Sequence, residues 1–163
     1  MTKENQLAFL KRKFPKYEIR YTDDFGGAVM INPCSAENLK VEYYEDHMPD
    51  PICIIFSFQH CHFEHEEDAE KWIDELIKGR TKIIEFFSKG RSVFGGSIDS
   101  KELEDLSYDK LMEITGYVGI TELLYIADSF KVRGWNGNEN FDGEFFRDRD
   151  GKISIRYEYV SST

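Results

Sequence analysis

Three of the four histidines, His60, His62 and His65, stand at the end of the most apolar run in the chain, residues 52–65 (ICIIFSFQHCHFEH). Imidazoles two residues apart on a strand point the same way, and neutral imidazole is a good ligand for zinc, copper or nickel. The pattern therefore offers a metal site on His60, His62 and His65, with zinc as the cofactor to test and Glu64 or His47 to complete the set. It also offers His62 as a general base oriented by Glu64 or Glu66, hence a small metal- or histidine-dependent enzyme. The spacing matches no diagnostic metal signature, and no serine elbow accompanies it. Cys61 and its neighbours His60 and His62 point to opposite faces, so no local Cys-His pair forms. The structural alternative is a buried strand whose last side chains are histidines, ending just before a helix.

Positioning such a group falls to the run itself. Read with a period of two, Ile52, Ile54, Phe56, Phe58, His60 and His62 share one face, and Cys53, Ile55, Ser57, Gln59, Cys61 and Phe63 share the other. Both faces begin apolar and end polar, as expected of one central strand that surfaces at a rim. The following segment, 66–78, is the clearest helix, with Ala69, Trp72, Ile73, Leu76 and Ile77 forming one apolar stripe and Gly79 ending it. Glu66, Glu67, Asp68 and Glu70 crowd its start, where they complement the helix dipole.

Around this centre the chain reads as mixed. Leu7, Leu10 and Phe14 suggest one short helix over 3–13, stopped by Pro15. A hairpin (17–22 with 28–31) and a strand at 39–44 precede Pro49 and Pro51, which break the chain before the central run. Another hairpin is expected over 81–87 and 92–98, with Gly95-Gly96 marking a bulge or a close backbone approach. Asp99 or Ser100 caps a short helix, and Ser107 starts another that ends before Gly116. Residues 120–127 read as helix or strand. Strands at 129–135, 143–147 and 152–160 close the chain, the last alternating Ile153, Ile155, Tyr157 and Tyr159 with Ser154, Arg156 and Glu158. The turn Asp148-Arg149-Asp150-Gly151 resembles part of a calcium loop, but the ligating positions at both ends would be Phe146 and Tyr157, so a hairpin turn is expected. The fold class that follows is α+β: an antiparallel sheet, strongly bent or in two parts, with one main amphipathic helix and short additional ones, in a single globular domain over 1–163.

Composition bounds the function. The 163 residues are 40% hydrophobic and 15% aromatic, suited to a folded core, and contain no apolar stretch long enough to span a membrane. The start of the chain lacks a secretory pattern, and Cys34, Cys53 and Cys61 fit no zinc or redox spacing, so a cytoplasmic protein with free thiols is expected. Net charge is −10, and residues 1–20 are basic on balance (Lys3, Lys11, Arg12, Lys13, Lys16 and Arg20 against Glu4 and Glu18), so the remainder is more acidic still. Such a field repels nucleic acid and anionic lipid and attracts a basic protein. Two acidic groups are candidates for the contact: Glu64, Glu66, Glu67, Asp68 and Glu70, and Glu102, Glu104, Asp105 and Asp109, with Trp135 as an aromatic anchor.

An acidic chain of this size without catalytic motifs resembles, in general character, the immunity proteins with which bacteria neutralise their own basic toxins, often nucleases. The likeness lies in charge and size, not in a motif. It implies a non-catalytic, protein-binding inhibitor whose carboxylates mimic phosphate; oligomeric state is left open by the sequence.

Overall fold

The computed structural model describes residues 3–22, 26–117, 126–137 and 140–160. The chain forms two compact units, residues 1–78 and 79–163, each built on a five-stranded antiparallel sheet. The α+β class is thus met by two separate sheets and one main helix.

In the first unit, α1 (Lys3–Gln6) and α2 (Ala8–Lys13) precede a meander of β1 (Ile19–Thr22), β2 (Gly27–Met30), β3 (Leu39–Tyr43), β4 (Ile52–Phe56) and β5 (Gln59–Phe63), in that spatial order, and α3 (Glu66–Ile77) follows. The expected single helix over 3–13 is two, broken at Leu7. Ala28, Met30, Leu39, Val41, Ile52, Ile54 and Phe56 fall on one face of the sheet by alternation, and all are buried. Helices cover that side: α3 lies against β4 and β5, α1 against β2 and α2 against α3. Each fully buried aliphatic or phenyl side chain there contributes about 1.5–3 kcal/mol.

The apolar run 52–65 is not one strand. At Ser57 the backbone takes φ 54°, and the chain folds back through Ser57-Phe58 so that Phe56 pairs with Gln59 and β4 lies antiparallel to β5. A left-handed first residue is what a two-residue hairpin turn of this kind requires. One consequence is a change of face. Ile55 pairs with His60 and Cys53 with His62, so the histidines share a side with Cys53 and Ile55, not with Ile52, Ile54 and Phe56.

The second unit contains β6 (Thr81–Ser88), β7 (Arg91–Asp99), a 3-10 turn at Ser100–Leu103, α4 (Tyr108–Tyr117), β8 (Ser129–Arg133), β9 (Phe141–Arg147) and β10 (Ile153–Tyr159), with sheet order β10-β9-β8-β6-β7. Lys89 and Gly90, at φ 51° and 76°, make the tight β6–β7 turn. The bulge expected at Gly95-Gly96 lies instead at Val93, which is skipped between the pairs Phe86–Phe94 and Phe87–Ser92. Asp99 accepts from the Lys101 amide at 2.9 Å and Ser107 from that of Lys110 at 3.2 Å, capping their helical turns. The second of these helices, α4, continues past Gly116 to Tyr117. Most of the ambiguous segment 120–127 lies outside the described residues.

One face of this sheet packs Ile84, Phe86, Phe130, Val132 and Phe141 with Leu106 and Leu111. Its closest fit is at Gly143, which pairs with Phe130 on one side and Tyr157 on the other; a Cβ there would lie 2.2 Å from Phe130 Cζ. The Asp148 turn is a hairpin turn: its carboxylate accepts from the amides of Asp150 (3.0 Å) and Lys152 (2.8 Å).

Candidate functional site

The hairpin turn at Ser57 assembles a cleft on the face of the first sheet opposite Ile52, Ile54 and Phe56. Cys53, Ile55, His60 and His62 supply its floor from β4 and β5, and Tyr44 and His47 supply a wall, enclosing about 340 Å³. The loop from β3 to β4 positions the wall: the Tyr44 amide donates to the Pro51 carbonyl at 2.8 Å, and the His47 amide to Tyr44 at 3.2 Å. His47 therefore stacks on Tyr44 (centroids 5.0 Å apart) and sits 5.7 Å from His62, which stands edge-on to His60 at 5.6 Å. His62 Nδ1 lies 3.4 Å from the Asp50 carbonyl.

Beside the cleft, on β3 opposite Cys53, Glu42 is buried and held by Lys40 and the Tyr44 hydroxyl. Burial alone would raise its pKa, but the two hydrogen bonds and the lysine's charge outweigh burial and hold it below the usual carboxylate range. The same bond pushes Tyr44 up to about 12. Burial first, then the Glu42 charge, pushes Cys53 up to about 11, so its thiol stays protonated and weakly nucleophilic at neutral pH. Sequence reasoning placed His65 beside His60 and His62. In the structure His65 precedes α3, 3.8 Å from Glu64, and His47 takes the place beside His62. Among the described residues no group of three or more His, Cys, Asp or Glu side chains is arranged to hold a metal ion.

The two acidic groups have different fates. At α3, Glu66 pairs with Arg12 at 3.2 Å, while Glu70 is buried against Arg12 (3.3 Å) and Lys13 (2.7 Å), so these two carboxylates join α2 to α3. Glu64, Glu67 and Asp68 are exposed. In the second unit Glu102 on the 3-10 turn, Glu104 and Asp105 just after it and Asp109 at the start of α4 are all exposed. Glu104 and Asp105 line a groove of about 360 Å³ with Leu103, Phe141, Tyr157 and Tyr159, and buried Lys82 and exposed Lys101 line it too with positive charge.

The tyrosines are the feature that sequence reasoning missed. Tyr157 and Tyr159 are 38% and 66% exposed and pack on Phe141 at 4.9 and 5.8 Å, a partly open aromatic cluster beside carboxylates. Their alternation with Arg156 and Glu158 in a terminal strand was the available signal. Trp135, the expected anchor, is 1% exposed and its ring is already buried.

The chain matches no family model, and comparisons with curated proteins and with solved structures give no match. No helix among the described residues is long and apolar enough to cross a membrane.

Proposed function

We propose that the chain binds a basic protein through the groove lined by Glu104, Asp105, Tyr157 and Tyr159, as an immunity-type inhibitor of a cationic toxin does. The observation that carries this reading is the exposed Tyr157-Tyr159 pair seated on Phe141 beside Glu104 and Asp105. Partly exposed tyrosines offer large contact area at small entropic cost, and carboxylates around them steer a cationic surface into register. The net charge of −10 adds a long-range attraction for such a partner. The α3 acids support it less, because Glu66 and Glu70 are neutralised within the chain.

The test compares three immobilised proteins, each exposed to extract of the source cells at low and physiological salt: the parent, Glu104→Lys/Asp105→Lys, and Glu67→Lys/Asp68→Lys. A basic protein retained by the parent and the second variant but lost from the first is the expected result. Retention by all three, or by none, overturns the assignment of this groove. The inhibitor form of the reading further requires that co-expression with the captured protein relieve that protein's toxicity to a host.

A further inference from the structure

We infer that strand β10 is the contact between two copies of this chain, paired antiparallel about a twofold axis through Tyr157. Among the described residues β10 pairs on one side only, with β9. The pairing parity fixes which of its backbone groups are free. Asp148 N–H donates to the Lys152 carbonyl at 3.0 Å, and Val160 N–H to the Asn140 carbonyl at 2.8 Å. Hydrogen-bonded and non-bonded pairs alternate in an antiparallel ladder, so Lys152, Ser154, Arg156, Glu158 and Val160 bond toward β9. The N–H and C=O groups of Ile153, Ile155, Tyr157 and Tyr159 therefore point outward.

The other edges are blunted. β7 carries the skipped Val93, β1 has four residues and β5 five. β10 runs for seven residues in unbroken register, without proline, and every residue from Arg156 to Val160 is exposed. An unprotected edge of this length is a template for another strand.

The sequence of β10 says which strand fits. With the axis at Tyr157, Tyr157 faces its own copy and Ile155 faces Tyr159 as outward, hydrogen-bonded pairs. Arg156 then faces Glu158 twice, at the non-bonded positions where side chains come closest. Axes at Arg156 or Glu158 would instead set like charges opposite each other. The interface is isologous, as a closed dimer requires, and joins two five-stranded sheets edge to edge. It shares Tyr157 and Tyr159 with the groove of the basic-partner reading but rests on their backbone groups, whereas that reading rests on their side chains.

The experiment is sedimentation of the full chain across a concentration series, with four variants. The parent is expected to dimerise. Arg156→Glu and Glu158→Arg each place like charges opposite at both positions, and each should weaken the dimer by about tenfold or more. The combined swap Arg156→Glu/Glu158→Arg should restore it. Tyr157→Pro removes an amide that points away from β9, so the fold should be retained, verified by circular dichroism, while the dimer is lost. A parent that stays monomeric at every concentration overturns the inference, as does a dimer unmoved by the single reversals or not restored by the swap.

Discussion

Replacing Gly143 with alanine tests the packing that holds β10 and its tyrosines against the rest of the second sheet. The new methyl carbon would lie 2.2, 2.4 and 2.9 Å from three ring atoms of Phe130, where carbon atoms at rest keep about 3.5–4.0 Å. The ring must yield by more than an ångström. It is fully buried, with Phe145 at 5.2 Å and Phe86 and Phe141 each at 6.2 Å, so it cannot yield without displacing its neighbours. Overpacking of this kind costs about 1–3 kcal/mol, whereas an unobstructed glycine-to-alanine change within a strand gains about 0.5–1 kcal/mol. The sign is therefore diagnostic. Urea unfolding followed by circular dichroism should show Gly143→Ala destabilised by about 2 kcal/mol. Phe130→Leu leaves room for the methyl, so the double variant should be more stable than the sum of the singles predicts, by about 1 kcal/mol. A Gly143→Ala protein as stable as its parent, or single costs that simply add, would refute the reasoning.

Three further outcomes follow from the first unit. Glu42→Gln removes the buried carboxylate that Lys40 and Tyr44 share, and the midpoint of urea unfolding should fall by an amount equivalent to about 1–3 kcal/mol; an unchanged midpoint would show that the trio contributes nothing. Because Glu42 titrates below its unfolded value, its contribution is present above the ordinary carboxylate range and lost as pH falls through its folded pKa. Tyr44 and Cys53 are raised to about 12 and about 11, so their contribution is intact below their ordinary values and lost as pH rises through the folded ones. Stability against pH should thus fall at both ends, with the acid limb reduced in Glu42→Gln; an acid limb of equal depth in the variant would exclude Glu42 as its source. Finally, a thiol reagent at neutral pH should modify exposed Cys34 promptly and buried Cys53 only slowly, and equal rates, read by mass spectrometry of the peptides, would contradict the burial assigned to Cys53.

Much of the fold was legible in the sequence because local signals and tertiary demands agreed. The apolar stripe from Ala69 to Ile77 makes α3, Lys89-Gly90 turns β6 into β7, and Asp148 closes the last hairpin on its own side chain. The run 52–65 was not legible, for a physical reason. Nothing in Ser57-Phe58 carries the glycine or asparagine that normally marks a left-handed turn residue, so periodicity continues unbroken where the chain reverses. A hairpin with a two-residue turn places residues of opposite parity on one face. That shift brings His60 and His62 over Cys53 and Ile55, and the loop through Pro51 then carries His47 to His62. A site made from a strand, its return and a distant loop cannot be read from the spacing of its residues.

Charge was legible in sum and not in use. The basic excess in residues 1–20 and the acids of 66–70 looked like separate features of the chain, yet Arg12 and Lys13 meet Glu66 and Glu70 and answer two of those acids across the α2–α3 contact. A carboxylate already paired with two cations and buried has little field left to project, and exposing it to a partner would first require breaking that contact. The acids of 102–109 differ because they are exposed and border a groove whose wall is aromatic. Two acidic clusters that composition makes equivalent are thereby separated by what lies beside each: the paired cations of α2 in one case, open tyrosines together with Lys82 and Lys101 in the other. Charge reversal at Glu104 and Asp105 is therefore the perturbation that should change recognition while leaving the α2–α3 contact intact.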